Sequence, residues 1–163
     1  MHGGAINILS TSEGPEAVLS NFAATPFCVD GVACGSVEGF LQGLKEEGVE
    51  KQGRICLKHG YEAKRASTRK RNRKVREGGM VWWLGRAVPY QSEEYYALIE
   101  RAMRGKFAGS EEARRVLKET GGAELTHETG KPEAASTSFP KVRFLGMLNA
   151  IRAELLKDEQ RRG

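Results

Sequence analysis

The sequence predicts an α+β fold, a helix-dominated single domain over residues 1–163 with one small β-sheet or hairpin. Three observations predict it. Segments opening at Ser36, Ser92, Ser110 and Pro140 begin with helix-start residues and continue with apolar residues at helical spacing or acids in the first turn. Residues 27–34 read as a strand, a two-residue Asp30-Gly31 turn and a second strand. The chain has 163 residues, 39% hydrophobic and 29% charged, enough to bury a core without disulfides or metal.

Taken in order, residues 5–10 alternate weakly and suggest an opening strand, and residues 11–18 a Ser/Gly/Pro loop. In the hairpin, Phe27 opposes Cys34, Cys28 opposes Ala33 and Val29 opposes Val32. Ser36 caps a helix whose Val37, Phe40, Leu41 and Leu44 fall at i, i+3, i+4 and i+7. Residues 56–66 suggest a helix that runs into a basic segment, and Gly78-Gly79 breaks the chain. Residues 80–84 (MVWWL) form a short buried run, strand or helix. One helix runs from Ser92 to about Phe107, and another from Ser110 to the stop at Thr120-Gly121-Gly122. Residues 123–127 suggest a strand and 129–138 a polar loop. Pro140 opens a last helix with Phe144, Leu148, Ile151 and Leu155 as its buried stripe, and residues 158–163 form a frayed tail.

Charge and cysteine usage bound the function. The net charge is +5, yet residues 64–76 alone hold eight Lys or Arg and no acid, so the rest of the chain carries −3. A block this concentrated is either a solvated segment or a contact for phosphates, with nucleic acid the expected partner. No apolar run is long enough for a membrane span and the N-terminus lacks a secretory pattern. No membrane partner and a cytoplasmic address are therefore expected. Cys28, Cys34 and Cys56 form an odd set, which suits a reducing compartment. Cys56 and His59 have the spacing of half a zinc site, but the hairpin register turns Cys28 and Cys34 to opposite faces. Neither a metal nor any other cofactor is expected.

On the helix after Ser36, Glu38, Gln42 and Lys45 share one polar stripe beside the apolar one. Glu38 and Lys45 are separated by ~10 Å of helical rise, so both can reach one small substrate. The same stripe is what an ordinary amphipathic surface helix presents.

A longer pattern favours the site. Residues 19–27 (LSNFAATPF), then Val29-Asp30-Gly31, then residues 36–45 (SVEGFLQGLK) resemble the signature of the YbiA-like, or NADAR, family. That signature is Ser-Asn-Phe, a Pro four residues on, an Asp-Gly, and after a short gap a Glu-His with a Gln and a Lys downstream. Leu84-Gly85-Arg86, residues 102–107 (AMRGKF), residues 117–125 and residues 144–152 resemble its later blocks in the same order. The resemblance covers residues 19–153 and implies a YbiA-like fold and N-glycosidase activity on ribosylated substrates. The implied substrates are ADP-ribosylated guanine in nucleic acid or, alternatively, a small phosphorylated ribosyl-pyrimidine of riboflavin synthesis.

Breaking a ribose C1–N bond needs a negative group near C1 and a proton for the departing base. The resemblance gives the first role to Glu38. It gives Lys45 either the proton or capture of a ring-opened sugar as a Schiff base. It implies substrate binding by Asn21, Phe22, Gln42 and Arg86, and Arg65 and Arg69 of the basic segment are expected near phosphates. This sequence departs from the family at two points. Glu-His is Glu38-Gly39 here, and residues 129–143 contain neither Asp nor Trp where the family usually carries an Asp, then Trp-Gly-x-Gly. His127 is a candidate for a replacement group on the substrate, or a strand-end surface residue. Phe139 is a candidate for the lost Trp. Residues 64–76 are expected as an insertion of this branch. A catalytically inactive binding module for ADP-ribose or nucleic acid is the alternative outside enzymology.

Overall fold

In chain order the elements are β1 (Ile6–Asn7), a 3₁₀ turn (Pro15–Leu19), β2 (Phe27–Val29), β3 (Val32–Cys34), α1 (Val37–Gly43) and α2 (Val49–Cys56). There follow α3 (Gly60–Arg65), α4 (Arg69–Gly78), β4 (Met80–Trp83), β5 (Arg86–Pro89), α5 (Glu93–Gly109), α6 (Glu111–Glu119), β6 (Leu125–Thr126) and α7 (Lys141–Arg162). This computed structural model describes residues 4–163. The fold is α+β and helix-dominated, as the sequence predicts. Among the described residues its strands form three separate two-stranded ladders rather than one sheet. The chain divides into two compact units, one of Asn21–Ser110 and one joining Met1–Ser20 to Glu111–Gly163.

The Asn21–Ser110 unit is built on the predicted hairpin, with the register Phe27↔Cys34, Cys28↔Ala33 and Val29↔Val32. Asp30 and Gly31 both take positive φ, 50° and 80°, the backbone a two-residue primed turn requires. The Asp30 carboxylate then ties the turn down. It accepts 2.8 Å from the Trp83 indole and 2.7 Å from Arg101. The hydrogen bond from Arg101, then that from Trp83, hold its carboxyl below the usual range.

Residues 80–84 settle as strand β4 plus a turn residue. β4 pairs antiparallel with β5 from Met80↔Pro89 to Trp83↔Arg86. Leu84 and Gly85 both have positive φ, so this is the same kind of turn made with an unusual residue.

Ser36 caps α1 by accepting 2.9 Å from the Gly39 amide, and Val37, Phe40, Leu41 and Leu44 are all buried. Gly35, Gly39 and Gly43 make a bare stripe at intervals of four. α2 and the residues just after it pack so close to the stripe that a Cβ at any of the three would meet Cys56, Leu57 or Lys58. The sequence predicts no element for residues 49–55 and one helix over 56–66. The structure corrects this to two helices, α2 and α3, broken at residues 57–59. Buried Gln52 locks the corner. Its Nε2 donates to the carbonyls of Gly43 (3.0 Å), Glu46 (3.2 Å) and Trp82 (2.7 Å), and its Oε1 accepts from the Leu84 amide (3.1 Å).

In the other unit β1 pairs parallel with β6, Ile6↔Leu125 and Asn7↔Thr126. Both strands are shorter than predicted, because the ladder stops after two residue pairs. The expected loop of residues 11–18 runs into the 3₁₀ turn, Pro15–Leu19. The expected frayed tail is instead helix: α7 continues to Arg162, with Lys118 3.8 Å from Glu159 and Arg161 3.9 Å from Asp158. No described helix is long and apolar enough to cross a membrane.

Candidate active site

Four segments of the Asn21–Ser110 unit assemble around the polar stripe of α1. The Glu38 amide donates 2.9 Å to the Asn21 carbonyl, which fixes Asn21 at the start of the helix. The Phe22 carbonyl accepts 3.0 Å from the Gly60 amide, and its ring meets Tyr61 edge-on at 5.6 Å. Gln42, one turn beyond Glu38, donates 2.8 Å from Nε2 to Glu38 Oε1. Among the described residues two buried side-chain oxygens are left over: Asn21 Oδ1 and Gln42 Oε1 have no hydrogen-bond partner. A buried acceptor without a donor costs about 1–3 kcal/mol.

Lys45 is only 9% exposed. Burial pushes its ammonium below the ordinary lysine range, and the negative charge of Glu38 offsets part of that. Its Nζ donates 2.9 Å to Oδ1 of Asn72 in α4. Asn72 is itself held by Ser67, whose Oγ accepts 3.0 Å from Nδ2. Asn72, the partner of Lys45, is not among the residues the sequence singles out. Its signal was there: it is the one uncharged polar side chain inside the basic run 69–76.

The basic segment is helical, where α3 ends and α4 begins. Thr68 caps α4, accepting 3.1 Å from the Arg71 amide, and Val75 is its one buried residue. Arg71 is pinned to the Ala66 carbonyl (2.8 Å) and to Glu46 (3.1 Å). Burial raises the Glu46 carboxyl, but the Gly48 amide and the charges of Arg71 and Lys51 outweigh it and hold the group low. Lys74 sits 5.0 Å over the Trp82 ring and 3.8 Å from Glu47.

The remaining predicted residues make other contacts or none that ties them to Glu38. Arg65 and Arg69 are exposed, on α3 and at the start of α4. Arg86, on β5, is ion-paired with Glu94. His127 belongs to the other unit, where its Nδ1 lies 2.6 Å from the Ile8 carbonyl and its ring packs edge-on to Phe144. Phe139 packs on the same Phe144. Cys28 is exposed, whereas Cys34 and Cys56 are buried; the neighbouring Cys56 and burial drive the Cys34 thiol far up.

Lys106 of α5, inside the AMRGKF block, is fully buried, and desolvation pushes its pKa down to about 7. Its ordinary value is 10.5. Between those two pH values the unfolded chain binds more protons than the folded one, so stability must rise with pH across that window. Below about pH 7 both states carry the proton and the burial penalty is fully present. Urea unfolding of wild type and Lys106→Met at several pH values checks this. The wild type is expected to gain stability relative to the variant by up to ~1.4 kcal/mol per pH unit. Parallel pH profiles would show that Lys106 does not titrate in the fold.

The family model for bacteriophage protein GP30.3 matches residues 14–153. A curated relative from Enterobacteria phage T4, "Uncharacterized 17.1 kDa protein in Gp30-rIII intergenic region", is 34% identical over 158 residues. That match covers 92% of this chain and 98% of the relative. Among solved structures, the NMR structure of the E. coli protein YbiA superposes with a TM-score of 0.63 at 23% identity. It covers 98% of this chain and 89% of that one, and shows the shared fold.

Proposed function

The chain belongs to the bacteriophage protein GP30.3 family, a divergent NADAR-type family with the YbiA fold, and from that premise we propose that it is an N-glycosidase. The proposed substrate is an ADP-ribosylated base, guanine in a nucleic-acid strand. The observation that carries the reading is the pair of partnerless buried acceptors, Asn21 Oδ1 and Gln42 Oε1, flanking Glu38 beside a desolvated amine.

In this reading the ribose C1–N bond breaks heterolytically and its electron pair leaves with the base nitrogen, which takes up a proton. The Glu38 carboxylate stabilises the positive charge that builds at C1. Asn21 and Gln42 accept hydrogen bonds from sugar hydroxyls, and Phe22 stacks on the base or walls it in. Water then adds at C1 and releases a proton. Lys45 as the ammonium supplies the proton to the base and regains it from that water; alternatively the base takes the proton the water releases, and the neutral Lys45 amine condenses with the ring-opened aldehyde, expelling one water, to an imine that water later hydrolyses.

The strand contact is proposed for α4. Arg69 and Arg73, and Lys70 and Lys74, are like-charge pairs at i,i+4, and the first turn holds cations and no acid. Both features work against the helix by a few tenths of a kcal/mol each, and a bound polyanion reverses their sign. This favours nucleic acid over a free nucleotide. A cytoplasmic address goes with this substrate.

The test is incubation with DNA and RNA carrying ADP-ribosylated guanosine, and with a phosphorylated ribosyl-pyrimidine. Released ADP-ribose from a strand, at a rate that falls steeply between low and physiological salt, is the expected result. Ribose 5-phosphate from the small nucleotide alone moves the substrate to the riboflavin-type class. Binding without release from any of them makes the chain a binding module.

A further inference from the structure

A concavity lies where α2, α3 and the start of α4 meet. It has a volume of about 440 Å³ and is lined by Lys51, Arg54, Lys58, Arg65 and Arg71 over Ile55 and Ala66, with Glu62 the one acid. The size is that of a small-ligand site, about 300–1,000 Å³. Five cations, from three helices and the break between two of them, line it beside one carboxylate. Their charges are only partly answered. Lys51 and Arg71 share Glu46, at 3.8 and 3.1 Å, and Lys58 has Glu62 at 3.1 Å. Arg54 and Arg65 have no acidic partner among the described residues.

A folded chain does not gather five cations into one concavity without a Coulomb penalty, and an anion removes it. Arg71 is also preorganised, because the Ala66 carbonyl and Glu46 each hold one of its terminal nitrogens. We propose that this cleft is a phosphate-binding site in which the forked guanidiniums of Arg54, Arg65 and Arg71 grip consecutive phosphate groups. The ligand chemistry is that of a diphosphate or of neighbouring phosphates in a strand. Lys51, Arg54 and Lys58 come from outside the basic run of the sequence. The site therefore exists only because α2 and α3 fold against the start of α4. The proposal does not rest on the glycosidic reading; a strand held here would extend that reading by giving its substrate a second anchor.

Methyl NMR of Ile55 and Ala66 tests it on the intact chain. Inorganic pyrophosphate, a short single-stranded oligodeoxynucleotide and a short oligoglutamate are titrated separately. Pyrophosphate is expected to shift both methyls in saturable fashion. Shifts from the oligonucleotide as well identify a strand as the source of the phosphates, and shifts from pyrophosphate alone identify a free anion. Arg54→Ala/Arg65→Ala is expected to weaken pyrophosphate binding about 10–100-fold, from the loss of two charge-assisted contacts. It is also expected to flatten the oligonucleotide salt slope by about 1.4, at roughly 0.7 per phosphate contact. Arg161→Ala/Arg162→Ala in α7 removes the same charge from elsewhere and controls for net charge. Unshifted Ile55 and Ala66 with pyrophosphate overturns the proposal, as does an equal loss in the α7 control or equally tight binding of oligoglutamate. None of these outcomes depends on whether any glycosidic bond is cleaved.

Discussion

Glu38→Gln is expected to slow C1–N cleavage by about 10²–10⁴-fold, the usual effect of removing a positioned acid or base. The substitution keeps the acceptor that Gln42 Nε2 reaches at 2.8 Å and removes only the charge, so unfolding curves should hardly move. Lys45 requires a more careful variant. It was expected beside the core stripe, yet the structure buries it. Lys45→Met keeps the volume of the stem and deletes the amine, and a rate loss of similar size is expected. Its two chemical roles then separate. If the amine attacks, borohydride traps a covalent adduct in the wild type and not in Lys45→Met, and the rate rises as pH passes upward through the lowered lysine pKa. If the ammonium donates, no adduct forms and the rate falls over the same limb. Asn72→Asp places a carboxylate where the amide oxygen now sits 2.9 Å from Nζ, so it should move either limb to higher pH. Unimpaired cleavage in both Glu38→Gln and Lys45→Met would falsify the assignment of the family's chemistry to this stripe.

Gly39→His, which restores the family's Glu-His, is expected to unfold the α1–α2 pair rather than improve catalysis. A Cβ at Gly39 would drive into the carbonyl oxygens of Lys58 and Cys56. Both are backbone atoms, so no rotamer change relieves the clash. Gly39→Ala alone should cost about 1–3 kcal/mol, the range for overpacking a close contact, or up to ~10 °C in Tm for a chain of this size. Gly39→His should cost more. Thermal unfolding of both variants measures it, with Gly53→Ala on the open side of α2 as the control, since nothing lies within 4 Å of a Cβ there. A Gly39→Ala protein as stable as the control would mean that α1 and α2 are not this close. The space at Gly39 is taken by the backbone of Cys56 and Lys58.

Much of the site was legible because it sits on local signals. The Asp30-Gly31 turn, the Ser36 cap and the apolar spacing of Val37, Phe40, Leu41 and Leu44 are decided within a few residues of backbone and side chain. Once the cap sets the phase of α1, Glu38 and Gln42 must share a face, whereas Lys45 lies just past the end of the helix, which stops at Gly43. The resemblance to the YbiA-like family was legible for the same reason, since its longest block is this turn and helix. Less was visible at residues 49–55 and 80–84. α2 is polar and short, its one strong signal being the Gly35, Gly39, Gly43 stripe on its neighbour. A five-residue apolar run such as MVWWL suits strand and helix alike until a partner is present.

The sequence by itself determined the α+β, helix-rich class, the hairpin and its register, the polar stripe of α1 and the concentration of positive charge at residues 64–76. Each follows from periodicity, turn chemistry or composition, and these act over one element at a time. Only the tertiary structure decided that Lys45 is desolvated and held by Asn72, 27 residues away, and that Asn21 and Gln42 keep buried oxygens without donors. It alone brought Arg54 and Lys58 into one cleft with Arg65 and Arg71. The physical reason is the same in each case. Burial, hydrogen-bond satisfaction and local field depend on which distant segments exclude water from a side chain. No window of sequence contains that information until the helices have packed.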